Sequence, residues 1–107
     1  MQLKSYSLSA NLGYLFTEYD LIEAIVRSSE AGFQAVECQR PYVCSPYDLR
    51  RVCEDEAIPM LAINTSKGEK GQFGLSALRD SISQAKQAID RAVEYAKEIN
   101  VQQIRVE

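Results

Sequence analysis

The chain has 107 residues, 46% hydrophobic and 25% charged, with a formal net charge of −3, which describes one globular domain able to bury a core. Twelve basic residues are scattered among fifteen acidic ones, so no basic stripe points to nucleic acid. No apolar run approaches the ~20 residues of a membrane span, and the N-terminus lacks the apolar centre of a signal peptide, so a cytoplasmic location is expected.

Residues 6–11, Y-S-L-S-A-N, alternate weakly and predict a first strand ending at Asn11, followed by a loop over Leu12 to Phe16. Thr17 reads as the cap of a first helix, with Glu18 and Asp20 favoured by the helix dipole and Leu21, Ile22, Ile25 and Val26 as its apolar stripe. This helix runs to about Ala31, and Gly32 suits the left-handed residue that stops it. Phe33 to Cys38 is a short strand with Glu37 at its carboxyl end, leading into Arg40, Pro41 and Tyr42. Ser45-Pro46-Tyr47-Asp48 starts a second helix, with Ser as cap and Pro at the first helical position; Leu49, Val52 and Cys53 form its buried face. Ile58 to Ile63 is a continuous apolar run, as expected of a strand covered on both faces, and Asn64 and Thr65 close it.

A stretch with Gly68, Gly71 and Gly74 reads as a mobile flap over Lys67 to Leu75. Helical spacing then runs from about Ser81 to Ile99 through Ile82, Ala85, Ile89, Ala92, Val93 and Ala96, with Asn100 as the left-handed cap. Val101 to Val106 is a fourth strand before the carboxylate of Glu107. The phrase that ends a helix and begins a strand occurs three times, as E-A-G-F-Q-A-V-E, E-A-I-P-M-L-A-I and E-I-N-V-Q-Q-I-R-V. The fold class is therefore α/β, a parallel β-α-β-α-β-α-β series with right-handed crossovers. A last strand without a covering helix looks cut short. A TIM (β/α)8 barrel needs at least ~200 residues, so residues 1–107 are expected to form one partial, half-barrel domain.

In parallel α/β folds ligands are handled at the carboxyl ends of the strands, which makes Asn11, Glu37 and Asn64 candidates for substrate binding. For Glu37 the bland alternative is a solvent-facing carboxylate paired with Arg40; for Asn64 and Thr65 it is ordinary loop capping. Tyr42 is a candidate pocket wall with Tyr14 and Phe16, although loop aromatics are as often packing. The glycine stretch lacks G-x-x-x-x-G-K-[ST] and so is no phosphate loop. Cys38, Cys44 and Cys53 are odd in number and lack C-x-x-C spacing, so reduced thiols are expected rather than a disulfide framework or a zinc site. With no histidine in the chain, none has the usual activating base, and acid–base work falls to carboxylates, Lys, Tyr or Cys.

Taken together, S-A-N-L-G-Y-L-F-T-E at 9–18, A-G-F-Q-A-V-E at 31–37 with Pro41-Tyr42, I-N-T at 63–65, K-G-Q-F-G-L-S-A-L at 70–78 and A-V-E-Y-A-K at 92–97 resemble the hydroxypyruvate isomerase family of xylose-isomerase-like barrels. The resemblance implies the N-terminal half of such a barrel, and a reversible isomerisation of hydroxypyruvate to tartronate semialdehyde by proton transfer. It also implies a small hydroxy-oxo acid or sugar as ligand, substrate contacts from Asn11, Glu37, Tyr42, Asn64 and Thr65, and a divalent metal in a full-length barrel. The family's catalytic glutamates and metal ligands come from later strands, so the resemblance assigns no catalytic residue, metal ligand or cofactor to this chain. Where the family has P-P-G-D after N-T and P-G-R after G-L-x-A-L, this chain has Ser66-Lys67-Gly68-Glu69 and Arg79-Asp80-Ser81; where it has H-V-M-A-G, this chain has Arg105-Val106-Glu107. The expected state is an inactive portion that associates as a homodimer or with a missing C-terminal half. The competing expectation, from another class, is a non-catalytic half-barrel binding or assembly module.

Overall fold

The computed structural model describes residues 8–66 and 75–106, apart from the side chains of 75–78. The elements are β1 (Ser9–Asn11), α1 (Leu21–Glu30), β2 (Ala35–Cys38), a 3-10 turn over Pro41–Val43, α2 (Pro46–Asp55), β3 (Met60–Asn64), α3 (Leu75–Ile99) and β4 (Gln103–Arg105). The four strands form one parallel sheet in the order β1-β2-β3-β4, each strand pairing with its predecessor in the chain. This is the β-α-β-α-β-α-β series expected from the sequence. The Gly-rich segment expected as a flap lies, through 74, outside the described residues, as do residues 1–7 and 107.

Helix starts follow local chemistry. Ser45 caps α2 by accepting a hydrogen bond from the Asp48 N–H at 3.1 Å, with Pro46 behind it. For α1 the cap is Asp20 rather than Thr17: its Oδ1 accepts from the Glu23 N–H at 2.8 Å. The displacement has a backbone cause, because Phe16 takes a left-handed φ of 59° and Tyr19 N–H closes a turn onto its carbonyl, so residues 16–19 cannot be helical. Helix α3 begins at Leu75, ahead of the expected Ser81.

Helix ends are alike in all three cases. Gly32 (φ 94°), Ala57 (φ 52°) and Asn100 (φ 67°) are left-handed. The residue after each donates back five positions: Phe33 to Ser28, Ile58 to Cys53 and Val101 to Ala96. These are Schellman endings, which satisfy orphan carbonyls and turn an apolar residue back onto the helix. The recurring sequence phrase is this device.

The core lies between the sheet and the helices. Val36, Cys38, Met60 and Ile63 meet Ile25, Leu49, Val52, Ile58, Tyr95, Ala96 and Ile99 there. Because side chains alternate along a strand, Glu37 between Val36 and Cys38 points to the opposite, helix-free face. In α3 the core stops at Ala92; Ile82 and Ile89, on the expected apolar stripe, are 57% and 39% exposed. No helix among the described residues is long and apolar enough to cross a membrane.

Candidate functional site

The strand registers set Asn11 level with Glu37, Glu37 level with Ala62, and Asn64 level with Arg105. Asn11, Glu37, Asn64 and Arg105 sit at or next to the carboxyl ends of their strands, on the face turned away from the helices. A bulge helps to set this arrangement: between Val36 and Glu37 the pairing skips from Met60 to Ala62, so Leu61 is the extra residue of β3. Met60 can then join the helix-side core while Ala62 and Asn64 face the other way.

On this face the Glu37 Oε1 accepts a hydrogen bond from Arg105 Nη2 at 2.8 Å. The pair reaches across β3, a distance of about 10 Å between strand axes. Ala62, buried at 1% exposure, leaves room for it where a larger side chain would intrude. Glu37 therefore pairs with a residue 68 positions away rather than with neighbouring Arg40. Arg40 instead borders a separate groove of about 380 Å³ with Leu12, Phe16, Thr17 and Gln39. Asn11 shapes the start of that loop. Its Oδ1 accepts from Gly13 N–H at 2.9 Å, its backbone carbonyl accepts from Tyr14 and Leu15, and Leu12 N–H binds the Glu37 carbonyl at 2.9 Å. A Cβ at Gly13 would come within 2.8 Å of Gln39 Nε2 and 3.1 Å of Asn11 Oδ1, so glycine allows this close approach.

Tyr42 and Thr65 are placed differently from the other three sequence candidates. The Tyr42 hydroxyl donates to the Asn64 backbone carbonyl at 2.6 Å, while its ring meets Tyr95 edge-on at 4.9 Å and lies under Arg91. It ties the 41–43 turn to the end of β3 and to α3. Thr65 follows Asn64 on the other side of the strand. It is 2% exposed, donates its N–H to the Arg105 carbonyl, and borders a cavity of about 190 Å³ with Ala85, Ile89 and Val106. The structure thus gathers Asn11, Glu37 and Asn64 on one face and adds Arg105, which the sequence marked only as a departure from a family pattern. The usable signal was period two: Gln103 and Arg105 flank the apolar Ile104, which packs against the core.

Burial disfavours the thiolate form at all three cysteines. Burial pushes the Cys38 thiol up to about 11, with the Arg40 backbone N–H opposing, and burial with the nearby Glu54 takes Cys53 to about 11 as well. Cys44 is raised too, by burial and by the Asp20 and Asp48 carboxylates. Both buried thiols hold their proton more tightly folded than at the ordinary value of 9.0. Their contribution to stability is therefore whole below pH 9 and lost as pH rises towards 11. Unfolding free energies measured across that window should fall by on the order of 2 kcal/mol per thiol, and Cys53→Ala should flatten the slope; an unchanged slope would refute the assignment. Among the described residues no three His, Cys, Asp or Glu come together as a metal site, so no metal step is assigned to them.

Four parallel strands with interleaved helices, and a polar row at their carboxyl ends, define part of a xylose-isomerase-like TIM barrel. The solved structure of an AP endonuclease, family 2, from Brucella melitensis matches 92% of the chain with a TM-score of 0.77 at 24% identity, and the match covers 40% of that protein. No family model matches. In sequence the chain is related over nearly its whole length to hydroxypyruvate and 2-oxo-tetronate isomerases. It is 36% identical over 101 residues to a putative hydroxypyruvate isomerase of Homo sapiens, and 33% identical over 100 residues to the 2-oxo-tetronate isomerase of Pectobacterium atrosepticum. Each alignment takes in 92% of this chain but only 36% and 38% of those proteins, so the chain spans a little over a third of the relatives it matches.

Proposed function

We propose that this chain supplies one wall of the binding site of an isomerase for a small hydroxy-oxo acid, hydroxypyruvate or a close analogue, and that it does not complete the chemistry alone. The observation carrying this reading is the row Asn11, Glu37, Asn64 and Arg105 at the carboxyl ends of four successive strands, on the helix-free face. Amides suit the hydroxyl and oxo groups of such a ligand, and a guanidinium suits its carboxylate. Tyr42 and Thr65 support this wall from behind.

Moving a proton between adjacent carbons needs a base within reach and an electropositive group to hold the enediolate charge. The chain has no histidine, and Glu37, the carboxylate found on the helix-free face among the described residues, is engaged by Arg105. A partner surface completes the site in this reading, either a second copy or further β-α units. Exposed Ile82 and Ile89 and the outer edges of β1 and β4 are the surfaces that would be covered.

Sedimentation of purified residues 1–107, with a hydroxypyruvate isomerisation assay run with and without Mg²⁺, tests the proposal. Self-association and no turnover above background are expected. A well-behaved monomer that turns over substrate refutes it.

A further inference from the structure

We propose that Arg105 is the specificity-determining residue of this wall, the anchor that selects a ligand carrying a carboxylate over a neutral hydroxy-oxo compound of the same size; this rests on the binding reading above. Three observations carry it. First, Arg105 is the last residue of β4 and stands level with Asn64, on the face where Asn11 and Glu37 also lie. Its side chain is 43% exposed, so it is open to a ligand from that face. Second, among the described residues its one side-chain partner is Glu37, which engages Nη2 and leaves the other edge of the guanidinium unused. Arginine carries five donors in a planar fork that fits a carboxylate with two parallel hydrogen bonds. A fork fixed at one nitrogen has already given up much of its rotamer freedom before a ligand arrives.

Third, stability does not explain the pair. Partly exposed ion pairs contribute roughly 0.2–1 kcal/mol, and this one lies on the opposite side of the sheet from the core. Glu37 acts here as a positioning residue: its carboxylate fixes Nη2 on the helix-free face and leaves the remaining donors of the fork for a ligand.

The test titrates hydroxypyruvate and, separately, dihydroxyacetone into the whole 107-residue chain, with amide chemical shifts as readout. Dihydroxyacetone keeps the hydroxy-oxo core and lacks the carboxylate. The wild-type chain should prefer hydroxypyruvate by about tenfold or more, the discrimination expected of a charge-assisted bidentate contact. Arg105→Met should reduce that preference to about twofold or less, leaving dihydroxyacetone binding as it was, whereas Arg105→Lys should recover part of it. Glu37→Gln, which removes the charge that fixes Nη2, should lower the preference below the wild-type value but less than Arg105→Met does; an unchanged preference overturns the positioning role of Glu37. Equal binding of both compounds, or a preference that survives Arg105→Met, overturns the anchor while leaving the binding wall standing. Failure of both compounds to bind overturns the wall and the anchor together.

Discussion

Replacing Leu49 by alanine should lower the stability of the chain by about 3 kcal/mol, read as a shift of the urea midpoint with an unchanged denaturant slope. Leu49 is 0% exposed and projects from α2 into the centre of the layer shared with Ile25, Val36 and Ile63. Truncation removes apolar area from that layer and leaves a cavity, because β2 and β3 behind it are fixed by ladder hydrogen bonds and cannot close in. Against a total of about 5–15 kcal/mol for an ordinary domain, a loss of this size raises the unfolded population by roughly a hundredfold. A change under 1 kcal/mol would mean that α2 does not pack on the sheet as described.

A second large effect is expected at Tyr95, whose two substitutions separate packing from hydrogen bonding. Its ring is 7% exposed and lies edge-on to Tyr42, while its hydroxyl donates to the Cys44 carbonyl at 2.8 Å, clamping α3 to the loop before α2. Tyr95→Ala should cost about 3–5 kcal/mol. Tyr95→Phe keeps the ring and should cost about 1 kcal/mol, the net worth of one hydrogen bond. Equal losses in the two variants would place the whole effect in the hydroxyl and contradict the packing account; the pair of thermal or urea midpoints decides.

The fold was legible because its signals are local. Ser45-Pro46 and the left-handed Gly32 and Asn100 each act within a few residues, and the structure has them where the sequence put them. The Asp20 cap was also legible in principle, since Asp20 and Glu23 stand in capping-box spacing; Thr17 looked equally good until the left-handed Phe16 is known. The site was less legible because it is made of register. Glu37 has Arg40 three residues away, yet its partner comes from β4, and only the ladder β2-β3-β4 with its bulge at Leu61 brings Arg105 within reach. Likewise Asn64 and Thr65 are adjacent in sequence but go to opposite faces, a difference that depends on which of the two follows the core residue Ile63.

The strictly sequential strand order has a consequence for how the molecule comes into being. Each strand pairs with the one translated before it, so every new β-α unit finds its template already assembled and none waits for a distant segment. Growth on the ribosome can then be vectorial, the sheet extending by one strand per unit synthesised. The leading edge at any moment is the strand just made; among the described strands β4 joins last, and it bears Arg105, the residue that unites the polar row.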